Sequence, residues 1–392
     1  MATRAYAGVG GKARKIRRIY IGVNGKARNV KKVYVGVNGK ARLCWMRPGL
    51  YKYGGSVPNL SVARYELSAT TVGNYALFGG GDNNGNTKVF STVDAYNSSL
   101  TRTTATSLSE GRTRMAATTV GNYALFGGGG NDGNIYGSTV DAYNSSLTRT
   151  TATSLSKGRI DLAATTVGNY ALFGGGYGYG INGYTSYSST VDAYNSSLTR
   201  TTATDLDHNF CYLSSTTVGN YALFAISDPT YDSYESSVNA YNTSLTRIIA
   251  TNLSKARGSI SSTTVGNYAL FAGGSFSYAN SNFNTVDVYN SSLTRTTATS
   301  LSIARHSMNA TTVGNYALFG GGYSNNGPNS QDKLIDVIDV YNGYLSRTSI
   351  GAFNNIIRDY AATTVGNYAL FGGGGNSGNT RFFSTVYAYE NI

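Results

Sequence analysis

Cysteine, histidine, proline, tryptophan and charge are all scarce in this chain. Its 392 residues include two Cys, two His, four Pro and one Trp, and only 13% are charged. Cys44 and Cys211 lie in different segments and form neither a disulfide framework nor a ligand cluster. His208 and His306 sit in separate repeats without ligand spacing, so no metal site is expected and both read as surface polar residues. The glycine runs 79–81 and 127–130 lack the Lys-Ser/Thr of a phosphate-binding loop, and no Gly-x-Ser-x-Gly elbow occurs, so no cofactor is expected. No apolar run approaches the roughly 18 residues of a membrane span. The basic N-terminus is not followed by an apolar stretch, which argues against a signal peptide. Asn-Ser-Ser triplets at Asn97, Asn144, Asn195 and Asn290 therefore read as turns rather than glycan acceptors.

Acidic residues are absent from one region only. Residues 1–48 hold 13 of the 32 basic residues and none of the 19 acids, which leaves 19 of each sign in the remainder. The net charge of +13 thus belongs to an N-terminal arm, and nucleic acid is not the expected partner of the whole chain. The arm carries a short repeat. Tyr-x-Gly-Val segments are followed by Gly10-Gly11, Asn24-Gly25 or Asn38-Gly39 and then Lys-Ala-Arg, a hairpin signal. The expectation is a small basic β-meander over 1–48, or a winding shared between chains, with strands too short and too basic to make a core alone and completed by a partner or by self-association. Its exposed cations are Lys12, Arg14, Lys26, Arg28, Lys40 and Arg42.

What the chain has in abundance is repetition. Thr-Thr-Val-Gly-Asn-Tyr-Ala-Leu-Phe occurs at 70–78, 118–126, 165–173, 216–224, 263–271, 311–319 and 363–371. A period near fifty with 49 Gly and 33 Tyr indicates an all-β repeat array. Each unit reads as four strands. Strand a is rich in Ala, Ser and Thr, and strand b is apolar on both faces, as suits a sheet packed between two others. Gly121-Asn122 makes the a–b turn and Asn144-Ser145 the c–d turn.

The glycine pair ending strand b (Gly79-Gly80), the Tyr ending strand c (Tyr96) and the Gly-Arg entering the next unit (Gly111-Arg112) resemble the kelch repeat family over residues 50–392. The kelch Trp is replaced by Thr103, Thr150, Thr201 and Thr296, which places blade packing on Leu, Tyr and Phe. The resemblance implies a seven-bladed kelch-like β-propeller over 49–392. Residues 384–389 form a strand c with no strand d after it, and 51–60 match a strand d. The N-terminal segment is therefore expected to complete the last blade and close the ring, which removes free edges.

The differences between repeats concentrate in two places. One is the b–c loop (82–90, 131–137, 177–188, 227–236, 275–283, 323–334 and 376–383), and the other is a residue pair in the d–a connection. In an up-and-down blade both lie at one end of the sheet, which points to a recognition surface on a constant scaffold. Its tyrosines are Tyr136, Tyr177, Tyr179, Tyr184, Tyr187, Tyr231, Tyr234, Tyr278 and Tyr323. Its d–a residues are Tyr65, Glu66, Arg114, Asp161, Tyr212, His306, Arg358 and Asp359. Tyr with Ser, Gly and Asn suits adaptable binding, and flat Tyr rings suit sugar faces.

Glu66, Asp161 and Asp359 share one register and could serve a glycosidase, but the same register holds Arg114, Tyr212, Ser259 and Ser307, so it reads as diversified and non-catalytic. The N-terminal Tyr-Val-Gly-Val-Asn-Gly-Lys-Ala-Arg repeats resemble the start of bacteriophage tail or prophage structural proteins. Together the two resemblances imply a receptor-binding adhesin of a phage tail, located on the virion. The arm would join other tail or baseplate proteins, a homotrimer is implied, and the loops would meet a host-surface glycan or protein. The competing expectations are a glycan-cleaving enzyme and an intracellular kelch-like scaffold.

Overall fold

The computed structural model describes residues 6–9, 12–15, 19–23, 26–30, 32–37, 40–46, 49–83, 89–131, 135–179, 184–225, 236–276, 281–324, 333–351, 353, 358–376 and 380–392. Those residues contain strands and turns but no helix. The chain divides into two compact units, 1–53 with 389–392, and 54–388.

The first unit contains three two-stranded hairpins: Tyr6–Val9 with Lys12–Lys15, Ile19–Val23 with Lys26–Val30, and Lys32–Val37 with Lys40–Met46. Each ladder ends on a Val–Lys pair with two residues between its members, at Val9–Lys12, Val23–Lys26 and Val37–Lys40. Among the described residues no ladder joins one hairpin to the next. Leu50–Lys52 pairs with the end of Val386–Asn391, Lys52 opposite Tyr389 and Leu50 opposite Asn391. The strand expected over 51–60 is thus shortened to three residues.

The second unit is built of four-stranded antiparallel sheets in simple a-b-c-d order. In the second repeat these are Ala116–Val120, Tyr123–Gly127, Val140–Tyr143 and Arg149–Thr151. Ala361–Val365, Tyr368–Gly372 and Val386–Asn391 continue the pattern in the seventh. Strand a alternates buried and half-buried positions, whereas strand b is buried from its second residue on. Its Ala-Leu-Phe therefore packs on both sides. Successive a strands lie against one another from Ser68–Val72 onward, and Ala361–Val365 packs against Ser68–Val72 in turn.

The core lies between neighbouring sheets. Val72, Leu77, Val93 and Leu108 of one repeat surround Phe126 and Tyr143 of the next, and none of these is more than 4% exposed. A Cβ on Gly79 would sit 3.0 Å from the Phe126 ring, so the glycine ending strand b is what lets that ring close the gap. The a–b turn has a different requirement. Gly121 has φ +53°, and a Cβ there would lie 2.9 Å from the Ser196 Cβ in the c–d turn of the next repeat. In the c–d turn itself, Asn144 Oδ1 accepts from the backbone N–H of Ser146 and of Thr148, at 3.0 and 3.1 Å. Asn97, Asn195 and Asn290 do the same in their repeats.

One polar contact recurs inside this apolar packing. Arg64, Arg112, Arg159, Arg257 and Arg305, all at the entry to strand a, pair with Asp94, Asp141, Asp192, Asp287 and Asp339 on strand c. All ten side chains are at most 1% exposed.

Candidate functional site: the end carrying the variable loops

Both variable segments of a repeat are tied together. Backbone bridges join Tyr65 to Asp82, Thr113 to Gly130, Gly258 to Ser275, His306 to Tyr323 and Arg358 to Gly375. In the third repeat, Arg159–Ile160, Tyr177–Tyr179 and Thr185–Tyr187 make a small three-stranded sheet. The b–c loop thus folds back over the d–a connection.

The second residue of each variable pair adopts a left-handed backbone. Glu66, Arg114, Asp161, Tyr212, Ser259, Ser307 and Asp359 have φ between 50° and 57°. This conformation is costly for a non-glycine residue. It lets consecutive repeats bond to one another: Arg114 N–H donates to Glu66 O, Asp161 N–H to Arg114 O and Tyr212 N–H to Asp161 O, at 3.1–3.2 Å. Glu66 N–H likewise donates to Asp359 O at 2.7 Å. The hydrogen-bonded backbone stays the same while the side chain at each step changes from repeat to repeat.

Six residues expected on this surface converge on one cavity of about 220 Å³: Arg114, Tyr136, Asp161, Tyr177, Tyr187 and Tyr212. Arg114 Nε donates to Asp161 Oδ1 at 2.9 Å, and its Nη2 donates to Asp161 Oδ2 and, at 3.1 Å, to the Tyr212 hydroxyl. Burial opposes the Arg114 charge, but Asp161 more than offsets this and holds the guanidinium protonated. Burial leaves the Asp161 carboxyl above its ordinary value although Arg114 and Tyr212 favour its charge. Burial and the adjacent Asp161 push the Tyr212 phenol up to about 12. Tyr136 meets Tyr177 and Tyr179 edge-on, with ring centroids 5.6 and 4.9 Å apart. Tyr177 also donates its hydroxyl to Thr185 at 2.7 Å. Thr113, Gly130, Asn131, Ile135, Ile160 and Cys211 complete the lining. Asn131 and Ile135 belong to the variable b–c loop 131–137, and Thr113, Ile160 and Cys211 are the first members of the variable pairs Thr113-Arg114, Ile160-Asp161 and Cys211-Tyr212, although the sequence did not single them out.

Elsewhere the outcome is mixed. Tyr179 is 53% exposed and Tyr184 81%. Tyr65 and Tyr323 are buried, contrary to the expectation of a presented ring face. Both take part in the backbone bridges, Tyr65 stacks on Phe382 at 5.0 Å, and Tyr323 stacks on His306 at 5.4 Å. The Arg358 guanidinium lies 5.4 Å from the Tyr323 ring centre, and its Nε is 3.3 Å from the Asp359 carboxylate. Tyr231, Tyr234 and Tyr278 lie outside the described residues, as do the side chains of Lys12, Arg14, Lys26, Arg28, Lys40 and Arg42. Thr113 Oγ1 is 3.2 Å from Glu66 Oε2. Burial pushes the Glu66 carboxyl up to about 7; Arg114 opposes the shift, and Asp359 and Asp82 add to it. Burial also raises Asp359. Among the described residues, no three of His, Cys, Asp and Glu gather as metal ligands, and no helix is long and apolar enough to cross a membrane.

No protein-family profile matches the chain, and no curated protein does. Solved structures do match, 498 chains in all, so the fold is widely shared and does not select a function. One, titled "Structure of YjhT", aligns with a TM-score of 0.55 and 10% identity, over 86% of this chain and 99% of that one. At that identity the likeness is of fold alone. The chain is therefore an all-β protein whose four-stranded antiparallel sheets are consistent with propeller blades.

Proposed function

We propose that the chain is a non-enzymatic receptor-binding protein, a seven-bladed kelch-like propeller that recognises a cell-surface glycan or protein through its variable loops. One observation carries the reading. Variable residues of three successive repeats (Arg114 and Tyr136, Asp161 and Tyr177, Tyr212) line one cavity, while the constant residues make the turns at the opposite end of the same sheets. Drift without selection would place differences at both ends. Ring closure is supported by two contacts. Ala361–Val365 packs on Ser68–Val72, and the Leu60 N–H donates to Ser384 O at 2.7 Å, as the Leu108 N–H does to Ser91 O. In the same reading the basic hairpins anchor the protein to a phage tail or tail-like particle as a homotrimer, because their sequence resembles such proteins.

The test is binding of the full chain to a panel of intact bacteria and to immobilised glycans. Binding without turnover is expected, and exchange of b–c loops between repeats should change the target while exchange of a–b turns should not. Absence of binding to every surface would sink the reading. A glycan-cleaving reading has one observation in its favour, the Glu66 carboxyl near pH 7 beside Asp359, which would suit a proton donor. It predicts released sugar, lost on Glu66→Gln.

A further inference from the structure

The Arg114 cavity has a charge balance that narrows what it can hold. Arg114 is the conspicuous cation, and a lone arginine in a cleft ordinarily points to an acidic ligand. Here both Nε and Nη2 are committed to the Asp161 carboxylate, which is 10% exposed. The pair is neutral in sum. An incoming carboxylate, sulfate or phosphate would gain no free cation and would meet Asp161 at close range, a like-charge contact in a partly desolvated cleft.

The groups left over are hydrogen-bonding atoms that add no net charge to this balanced pair. Arg114 Nη1 and the Tyr136 hydroxyl have no hydrogen-bond partner among the described residues, and the Tyr212 hydroxyl sits at the rim with its ring 53% exposed. The Tyr136 and Tyr177 rings line the same cavity, set perpendicular to each other at 5.6 Å. The volume of about 220 Å³ is smaller than the roughly 300–1,000 Å³ of a drug-sized site. It suits one ring with its substituents and not an oligosaccharide.

We infer that this cavity binds a single uncharged pyranose unit of a glycan, its C–H face against Tyr136 and its vicinal hydroxyls on Arg114, Asp161 and Tyr212. The inference rests on the receptor-binding reading and deepens it. Asp161 acts as a selectivity residue. By occupying Arg114 it excludes uronic and sialic acids, and without it the guanidinium would be free to take them.

The experiment is saturation-transfer NMR of the full-length protein with methyl hexopyranosides, N-acetylhexosamines, glucuronic acid and sialic acid. Cell binding and thermal unfolding are measured on the same samples. Neutral pyranosides should show transfer and the acids none. Tyr136→Ala should weaken neutral binding at least tenfold, and Asp161→Asn should bring acidic sugars into binding while leaving the melting temperature within a few degrees. Should Asp161→Asn fail to fold, Asp161→Glu serves in its place and should keep the neutral preference. Binding of acidic sugars by the unaltered protein overturns this inference but leaves receptor binding intact. So does cell binding that is indifferent to Tyr136→Ala. Loss of both sugar and cell binding in the unaltered protein overturns both.

Discussion

The guanidinium of Arg64 lies 2.9 Å from the carboxylate of Asp94, and neither side chain reaches solvent. The Arg64 Nη2 also donates to Phe78 O at 3.1 Å; the Ser61 hydroxyl donates to the same Asp94 oxygen at 3.0 Å, and Arg102 donates to the other at 2.8 Å. The fourth repeat shows what happens without the charges. Phe210 takes the arginine position and Asn239 the aspartate position, both buried, with Asp207 replacing the serine and accepting from Asn239 Nδ2 at 2.8 Å. The three positions change together.

That substitution set predicts a double outcome in the second repeat. Arg112→Met alone removes the buried cation from Asp141, leaving it Arg149 and Ser109, and should cost up to about 3 kcal/mol. Adding Asp141→Asn, with Phe at 112 and Ser109→Asp, should recover most of it. Urea unfolding of the three proteins measures this; equal loss in the single and combined variants would show that the charge pair is not the unit.

The constant a–b turn makes a second prediction. Gly121→Ala forces a Cβ into a left-handed backbone and against Ser196, and should cost about 1–2 kcal/mol from the backbone alone. Gly54→Ala, with nothing within 4 Å, should change stability by less than about 0.5 kcal/mol. Thermal melting of the two variants gives the comparison.

At the opposite end from the variable loops, Asn144→Ala removes two acceptor bonds in an exposed c–d turn. About 1 kcal/mol of stability should be lost, since water can replace the partner. Binding should be unchanged, and a loss of binding in a correctly folded variant would place recognition at the wrong end.

Glu66 makes a pH prediction. Its folded value of about 7 lies above the ordinary value of 4.5. The folded protein therefore keeps a proton that the unfolded chain releases. Glu66 favours folding fully below about pH 4.5, and that contribution is lost as pH rises through about 7. Subtracting the stability–pH curve of Glu66→Gln from that of the unaltered protein should leave a fall confined to this window. A flat difference would mean the carboxyl titrates normally.

The repeat, its strands and its turns are legible in the chain because each depends on neighbours within a few residues. Asn-Ser-Ser reads as a turn since the Asn97 side chain bonds backbone two and four residues on. The alternation of strand a and the apolar run of strand b are likewise local. The pairing of Arg114 with Asp161, 47 residues apart, is not legible in this way, and neither is the burial of Tyr65 and Tyr323. In the sequence these residues look like their exposed counterparts. Their surroundings come from residues distant in the chain, Phe382 for Tyr65 and His306 and Arg358 for Tyr323. Sequence alone thus determined the units and which end of each would vary. Only the tertiary structure decided which variable side chains meet, because that contact requires two repeats to be packed at a fixed offset by Phe126, Gly79 and the backbone bonds between left-handed residues.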